Sequence, residues 1–208
     1  MNKEALTAHL QQFHQQVIDK MYPVVGFRVP PVSEISLRPL LSEGGLGIDR
    51  KKGSQYIFIS DSEDTPAYSL PIEYSAKTIF TKEVTTVHET GHHIHSFLET
   101  RERKVQHETR EEWTERDERI LRYDELVAEF FTCCYYQRTG MFEMFLQSQL
   151  PPDTFYGSIY TLYQAIPSAL DEQEQTCRWL ITHAYSDVKR QFHRTPTTQL
   201  IGRFVREE

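Results

Sequence analysis

Cysteine is scarce and odd in number, with three in 208 residues. Two of them, Cys133 and Cys134, are neighbours whose side chains diverge by about 100° on a helix. The chain therefore has no disulfide framework, and reduced thiols in a cytosol are the expectation. No continuous run of about 18 apolar residues occurs, which excludes an ordinary membrane-spanning helix. The opening MNKEALTAHLQQFHQQ is too polar for the apolar stretch of a secretion signal, so the expected location is cytoplasmic. Basic charge is not in excess either. The formal net charge is −7 with both signs interspersed, which gives no footprint for nucleic acid; neither nucleic acid nor membrane is expected as a partner. Repeats and low-complexity linkers are also missing, and 38% hydrophobic content over 208 residues suits one domain, 1–208, with its own core.

What is present divides near residue 80. Leu6, Leu10, Phe13, Val17 and Met21 recur at helical spacing and predict an amphipathic N-terminal helix that stops near Pro23. From Val24 to Phe80 the texture changes to prolines, paired glycines and short β-rich runs. YIFIS (Tyr56–Ser60) reads as a strand, KTIF (Lys77–Phe80) as a second candidate, and GGLGIDRKKGSQYIFIS as a hairpin. Beyond Phe80 the pattern is helical, with breaks expected near Pro151, Pro152, Pro167 and Pro196. Strands followed by helices in one domain predict an α+β class, with a small N-terminal sheet in 1–80 and a mostly helical part in 81–208.

The chemistry concentrates in TTVHETGHHIHSF, Thr85–Phe97, which holds four of the nine histidines. A helix over about Thr81–Leu98, N-capped by Thr81, would turn Val84, Val87, Gly91, Ile94 and Leu98 to the core. His88 and His92 then stand one turn apart on one face, close enough for both to ligate a single Zn²⁺ at about 2.0–2.1 Å. Glu89 lies beside the ion without binding it, where it can move protons to and from a metal-activated water. His95 is a full turn beyond the pair and reaches the same ion poorly; His93 and His95 are expected around the site or exposed.

A catalytic zinc site needs a third protein ligand and an open position. YDELVAEFFTCCYYQ supplies the candidates. Glu129 sits inside the apolar run LVAEFF, and Glu125 lies one turn earlier on the same face. Two acids at that spacing repel unless a cation lies between them or one of them braces a ligated histidine.

HETGH followed by DELVAEFF resembles the gluzincin branch of the zincin metallopeptidases, which includes thermolysin, the anthrax lethal factor and small single-domain gluzincins. The resemblance covers about fifty residues, Thr81–Phe131. It implies a zincin-like fold and a peptidase activity, with His88, His92 and Glu125 as zinc ligands. Glu89 is then the base, and Glu129 the partner of a ligated histidine. HETGHHIHS is also similar to the motif of the oligoendopeptidase F type, whose alignment makes Glu129 the third ligand instead. Both comparisons agree on zinc, on Glu89 and on hydrolysis of a peptide or an extended protein segment. The alternative function is a regulatory or binding module on the same fold, including a repressor-cleaving regulatory protease.

Three smaller expectations complete the reading. A donor to the developing oxyanion is sought among Tyr123, Tyr156, Tyr160 and Tyr163, with Tyr123 and Tyr160 preferred. By the same resemblance, YIFIS is the candidate edge strand for substrate. The charged segment Glu99–Arg122 reads either as a solvated helix or loop, or as a flap anchored by Trp113.

Overall fold

The computed structural model describes residues 1–38, 44–49, 54–61, 73–102, 115–148, 154–166 and 170–206. Its elements, in chain order, are α1 (Lys3–Val25), β1 (Glu34–Arg38), β2 (Gly44–Asp49), β3 (Ser54–Ser60), α2 (Ala76–Glu102), α3 (Glu115–Thr139), α4 (Phe142–Ser148), α5 (Phe155–Ala165), α6 (Leu170–Thr182), α7 (Tyr185–Val188) and α8 (Pro196–Arg206). The class is α+β, mostly helical with one small sheet of three strands among the described residues.

Asn2 starts α1 by accepting the Ala5 N–H on its side-chain oxygen (2.9 Å). Leu6, Leu10, Val17 and Met21 form the buried stripe that the spacing predicts, and His14 joins it. The helix ends at Val25, near Pro23 as expected, with the proline inside its last turn. Proline there removes a single hydrogen bond, so the end is set by Gly26, at φ 84°, whose N–H closes onto the Tyr22 carbonyl (2.8 Å).

The sheet has the order β1-β3-β2, with β1 parallel and β2 antiparallel to β3. The expected hairpin is the β2–β3 pair, from Gly44 opposite Ile59 to Asp49 opposite Ser54. Ile35, Leu37, Ile57 and Ile59 turn to a small core shared with Leu6, Leu10, Val32 and Tyr74. The β1 side is covered by α1. Gln11 Oε1 accepts the Ile35 N–H (2.8 Å) and Gln11 Nε2 donates to the Val32 carbonyl (3.4 Å), as a neighbouring peptide group would.

KTIF is not a strand. It lies in the start of α2, where the Ser75 hydroxyl accepts the Thr78 N–H (3.1 Å). Consecutive residues on a helix point about 100° apart, and this suits two cores at once: Ile79 packs on the sheet core, while Phe80 stands edge-on to Tyr136 in the larger helical core. Thr81 is accordingly no cap; its hydroxyl bonds back to the Lys77 carbonyl inside the helix (3.1 Å). Pro196 opens α8, and the Thr195 hydroxyl accepts the Thr198 N–H (3.1 Å). The breaks expected at Pro151, Pro152 and Pro167 lie outside the described residues. All three cysteines are free and buried. Among the described residues no helix is long and apolar enough to cross a membrane.

α2 is the central element, packed on α1, α3, α6 and the sheet. Its back face is tied to α1 by a hydrogen-bond chain whose direction is forced. The Val32 N–H can only donate, so His14 Nε2 accepts it (3.1 Å). Nδ1 then carries the proton and donates to the Thr90 hydroxyl (2.8 Å), which passes its own to the Thr86 carbonyl (2.6 Å). Burial, together with the nearby His93, pulls the His14 pKa from 6.5 down to about 3. A folded value below the unfolded one stabilises the fold above the unfolded value, and that stability is lost as pH falls from 6.5 towards 3. His14→Phe is expected to unfold more easily at neutral pH by about 2 kcal/mol, because it strands the Val32 N–H. The difference from wild type in urea unfolding should shrink by up to about 1.4 kcal/mol per pH unit towards about pH 5; a constant difference would refute the assignment.

Candidate metal centre

The site is made where α2 crosses α3. Gly91 lies on the buried face of α2 against α3. A β-carbon there would come within 2.9 Å of the Ala128 Cα and 3.1 Å of its carbonyl oxygen. Only glycine lets the two backbones approach this far, and the approach decides whether a carboxylate on α3 can reach imidazoles on α2.

Glu125 reaches both. The His88 and His92 rings meet edge to face with centroids 4.8 Å apart and their Nε2 atoms 3.1 Å apart. Glu125 Oε2 lies 3.2 Å from His88 Nε2, and Oε1 lies 3.4 Å from His92 Nε2. An ion held tetrahedrally at about 2.0–2.1 Å has ligand atoms about 3.3–3.4 Å apart. The three contacts, at 3.1–3.4 Å, lie close to that edge length, with Glu125 turning one oxygen to each imidazole, so the residues fit a zinc-sized ion. His88, His92 and Glu125 are the one group among the described residues with metal-ligand geometry.

Glu129 does something else. Its Oε2 accepts from His88 Nδ1 at 2.7 Å, which leaves the lone pair of His88 on Nε2, facing His92 and Glu125. The charge pattern agrees. Burial disfavours a cation at His88, but hydrogen bonds to Glu125 and Glu129 and the charges of Glu129 and Glu89 outweigh it and raise its pKa well above the ordinary value. Glu125 goes the other way: burial raises its pKa, and the His88 and His92 contacts overcome this and hold it well below the carboxylate range. Three acids around two imidazoles thus favour positive charge at the point where Nε2, Nε2 and the carboxylate converge. The side chain of Glu125 is 35% exposed and those of His88 and His92 are 15% and 17%, so the group opens to solvent on one side.

Glu89, next to His88, is 6% exposed and lies close enough to His88, His92 and Glu125 to feel the charge of each. Burial raises its pKa, against the opposing pull of His88 and His92. Across from it is Gly44, at the start of β2, where a β-carbon would lie 2.6 Å from Thr85 Cγ2 and 3.4 Å from Glu89 Oε1.

The remaining candidates are committed elsewhere. His93 Nε2 donates to the Pro30 carbonyl (2.8 Å), and His95 Nδ1 to that of Ile181 (3.1 Å). Tyr123, expected at the oxyanion, donates instead to the Leu180 (3.0 Å) and His183 (2.9 Å) carbonyls at the end of α6. Tyr160, the other expectation, is hydrogen-bonded to Glu129. The phenol at the donor set is Tyr156, which donates to Glu125 Oε2 (3.1 Å) and stands edge-on to His88 (6.1 Å). YIFIS is not an edge: β3 is the central strand with both sides paired, and the edge beside Glu89 is β2. Trp113 lies outside the described residues; the ends of the charged segment continue α2 to Glu102 and open α3 at Glu115.

The chain matches no protein-family model, no curated protein and no solved structure.

In zinc competition titrations, Glu125→Ala is expected to lose most of the affinity and Glu129→Ala about 10–100-fold; equal retention in both would remove α3 from the site. Gly91→Ala should lower stability by about 1–3 kcal/mol through overpacking. It should also weaken zinc binding, because the helices separate, and unchanged affinity would show that the close crossing is not needed.

Proposed function

We propose that the chain is a zinc-dependent peptidase of the zincin type, acting on a peptide or an extended protein segment. The observation that carries this reading is the convergence of His88, His92 and Glu125 within reach of one ion, part-exposed to solvent, with an intact buried glutamate beside them. A structural zinc site closes with four protein ligands and needs no base; a catalytic one has three and keeps a position open. The similarity of HETGH and DELVAEFF to gluzincin motifs supports the same assignment.

His88, His92 and Glu125 would hold the ion. When bound, zinc supplies a Lewis acid that polarises water and a peptide carbonyl. Glu89 takes the proton of the attacking water and returns it to the leaving amine. Its raised pKa suits a group that keeps a proton between those two transfers. Glu129 holds the Nδ1 proton of His88 and so fixes the ring and its tautomer.

An extended substrate has one natural seat. The β1 side of the sheet is covered by Gln11 and α1, and β3 is central, whereas β2 carries a strand on one side only among the described residues. β2 starts at Gly44, where a β-carbon would lie 3.4 Å from Glu89 Oε1. A peptide added to β2 as a further strand runs past the base, with main-chain hydrogen bonds giving affinity largely independent of sequence.

The test is zinc content and cleavage of an unbiased peptide library by wild type and by Glu89→Gln. Both proteins should bind one zinc, and only the wild type should cleave, with Glu89→Gln slower by at least about 100-fold. Zinc in both with cleavage in neither would move the site to a regulatory or binding role.

A further inference from the structure

Two pairs of residues with the same spacing face each other across α3 and α5. Glu125 and Glu129 are one turn apart on α3, and Tyr156 and Tyr160 are one turn apart on α5. Tyr156 donates to Glu125 Oε2 and Tyr160 bonds Glu129, so each phenol serves the carboxylate at its own level. Both helices rise about 5.4 Å per turn, which keeps the two contacts in step. The side chains thereby form a line of contacts running Tyr160, Glu129, His88 and ending at the convergence of the donor atoms.

We infer that Tyr160 is a positioning residue of the metal centre, acting through Glu129 on His88, and that α5 is the third helix that the centre requires. The inference rests on the zinc reading of the site, though not on peptide cleavage. Glu129 is 4% exposed. A carboxyl group buried that far is costly unless its oxygens are hydrogen-bonded. His88 Nδ1–H is one donor to them, at 2.7 Å, and the Tyr160 hydroxyl is another. With both in place the carboxylate has one orientation, and so has the imidazole bonded to it. With the hydroxyl removed, the terminal torsion of Glu129 is loosened and the direction of His88 Nε2 with it.

The ring of Tyr160 also packs, 5.4 Å edge-on from Phe145. Phenylalanine preserves that contact and deletes only the hydroxyl, so Tyr160→Phe separates positioning from packing. Zn²⁺ competition titration, the visible absorption of the Co²⁺-loaded protein, and thermal unfolding of the metal-free protein are measured for wild type, Tyr160→Phe, Glu129→Gln and the double variant. Tyr160→Phe is expected to weaken zinc binding about 10-fold and to shift the Co²⁺ absorption band, with a metal-free Tm lowered by several °C at most because His88 still serves Glu129. The double variant should bind no more weakly than Glu129→Gln alone, because both changes break one line of contacts. Wild-type affinity with an unchanged Co²⁺ band in Tyr160→Phe overturns the inference. So does an affinity loss with an unchanged Co²⁺ band, which assigns Tyr160 to the core alone. Failure of the wild type itself to bind Zn²⁺ is a different result and overturns the reading of the site beneath it.

Discussion

The contact of Gly91 with Ala128 sets the distance between α2 and α3, and nearly everything at the candidate centre follows from that distance. Two helices with ordinary side chains between them lie about 8–10 Å apart. A glycine facing an alanine backbone removes the spacer, and the carboxylate of Glu125 then spans to two imidazoles on the opposing helix. Glycine inside a helix costs roughly 1 kcal/mol relative to alanine. That cost is borne in the middle of a 27-residue helix, at the position between the base and the second histidine, where close approach has a chemical use.

Charge balance is the second constraint. Glu89, Glu125 and Glu129 surround His88 and His92 within a largely buried region. Each acid has a different environment and therefore a different character. Glu125 is the exposed one and is held anionic by the histidines; Glu129 is buried and hydrogen-bonded to His88; Glu89 is buried with its pKa raised. Similar side chains thus take separate roles from burial and contacts alone, as required where one acid has to exchange protons beside others that hold an ion or a histidine in place.

Much of this was legible in the sequence, because the signals are local. His88 and His92 at one-turn spacing, the core-facing stripe from Val84 through Gly91 to Ile94, and the two acids of DELVAEFF at one-turn spacing all depend on helical periodicity, and α2 and α3 carry them, although Leu98 is only part-buried. Features that depend on distant contacts were not legible. KTIF has strand-like composition, yet Ile79 and Phe80 are claimed by two different cores, which only a helix can serve. YIFIS reads as a strand but its place in the middle of the sheet depends on β1 and β2 pairing on either side. The tyrosines were the least readable. Tyr123, Tyr156 and Tyr160 look alike in sequence, and their roles are set by whichever oxygen atoms α3 and α6 bring to their hydroxyls. Only the matched spacing of Tyr156 and Tyr160 with Glu125 and Glu129 could have hinted at the pairing.

The end of α6 gives the centre a mechanical character. His95 from α2 donates to Ile181, while Tyr123 from α3 donates to Leu180 and His183. The last turn of one helix is thus a common anchorage for both ligand-bearing helices, and it triangulates them. A motion that pries α2 from α3 has to tear one or both of them from that anchorage, whereas a motion of β2 over Glu89 leaves it intact. The metal-side floor of the cleft is braced like a tripod, and compliance towards substrates of different bulk falls to the strand that faces it.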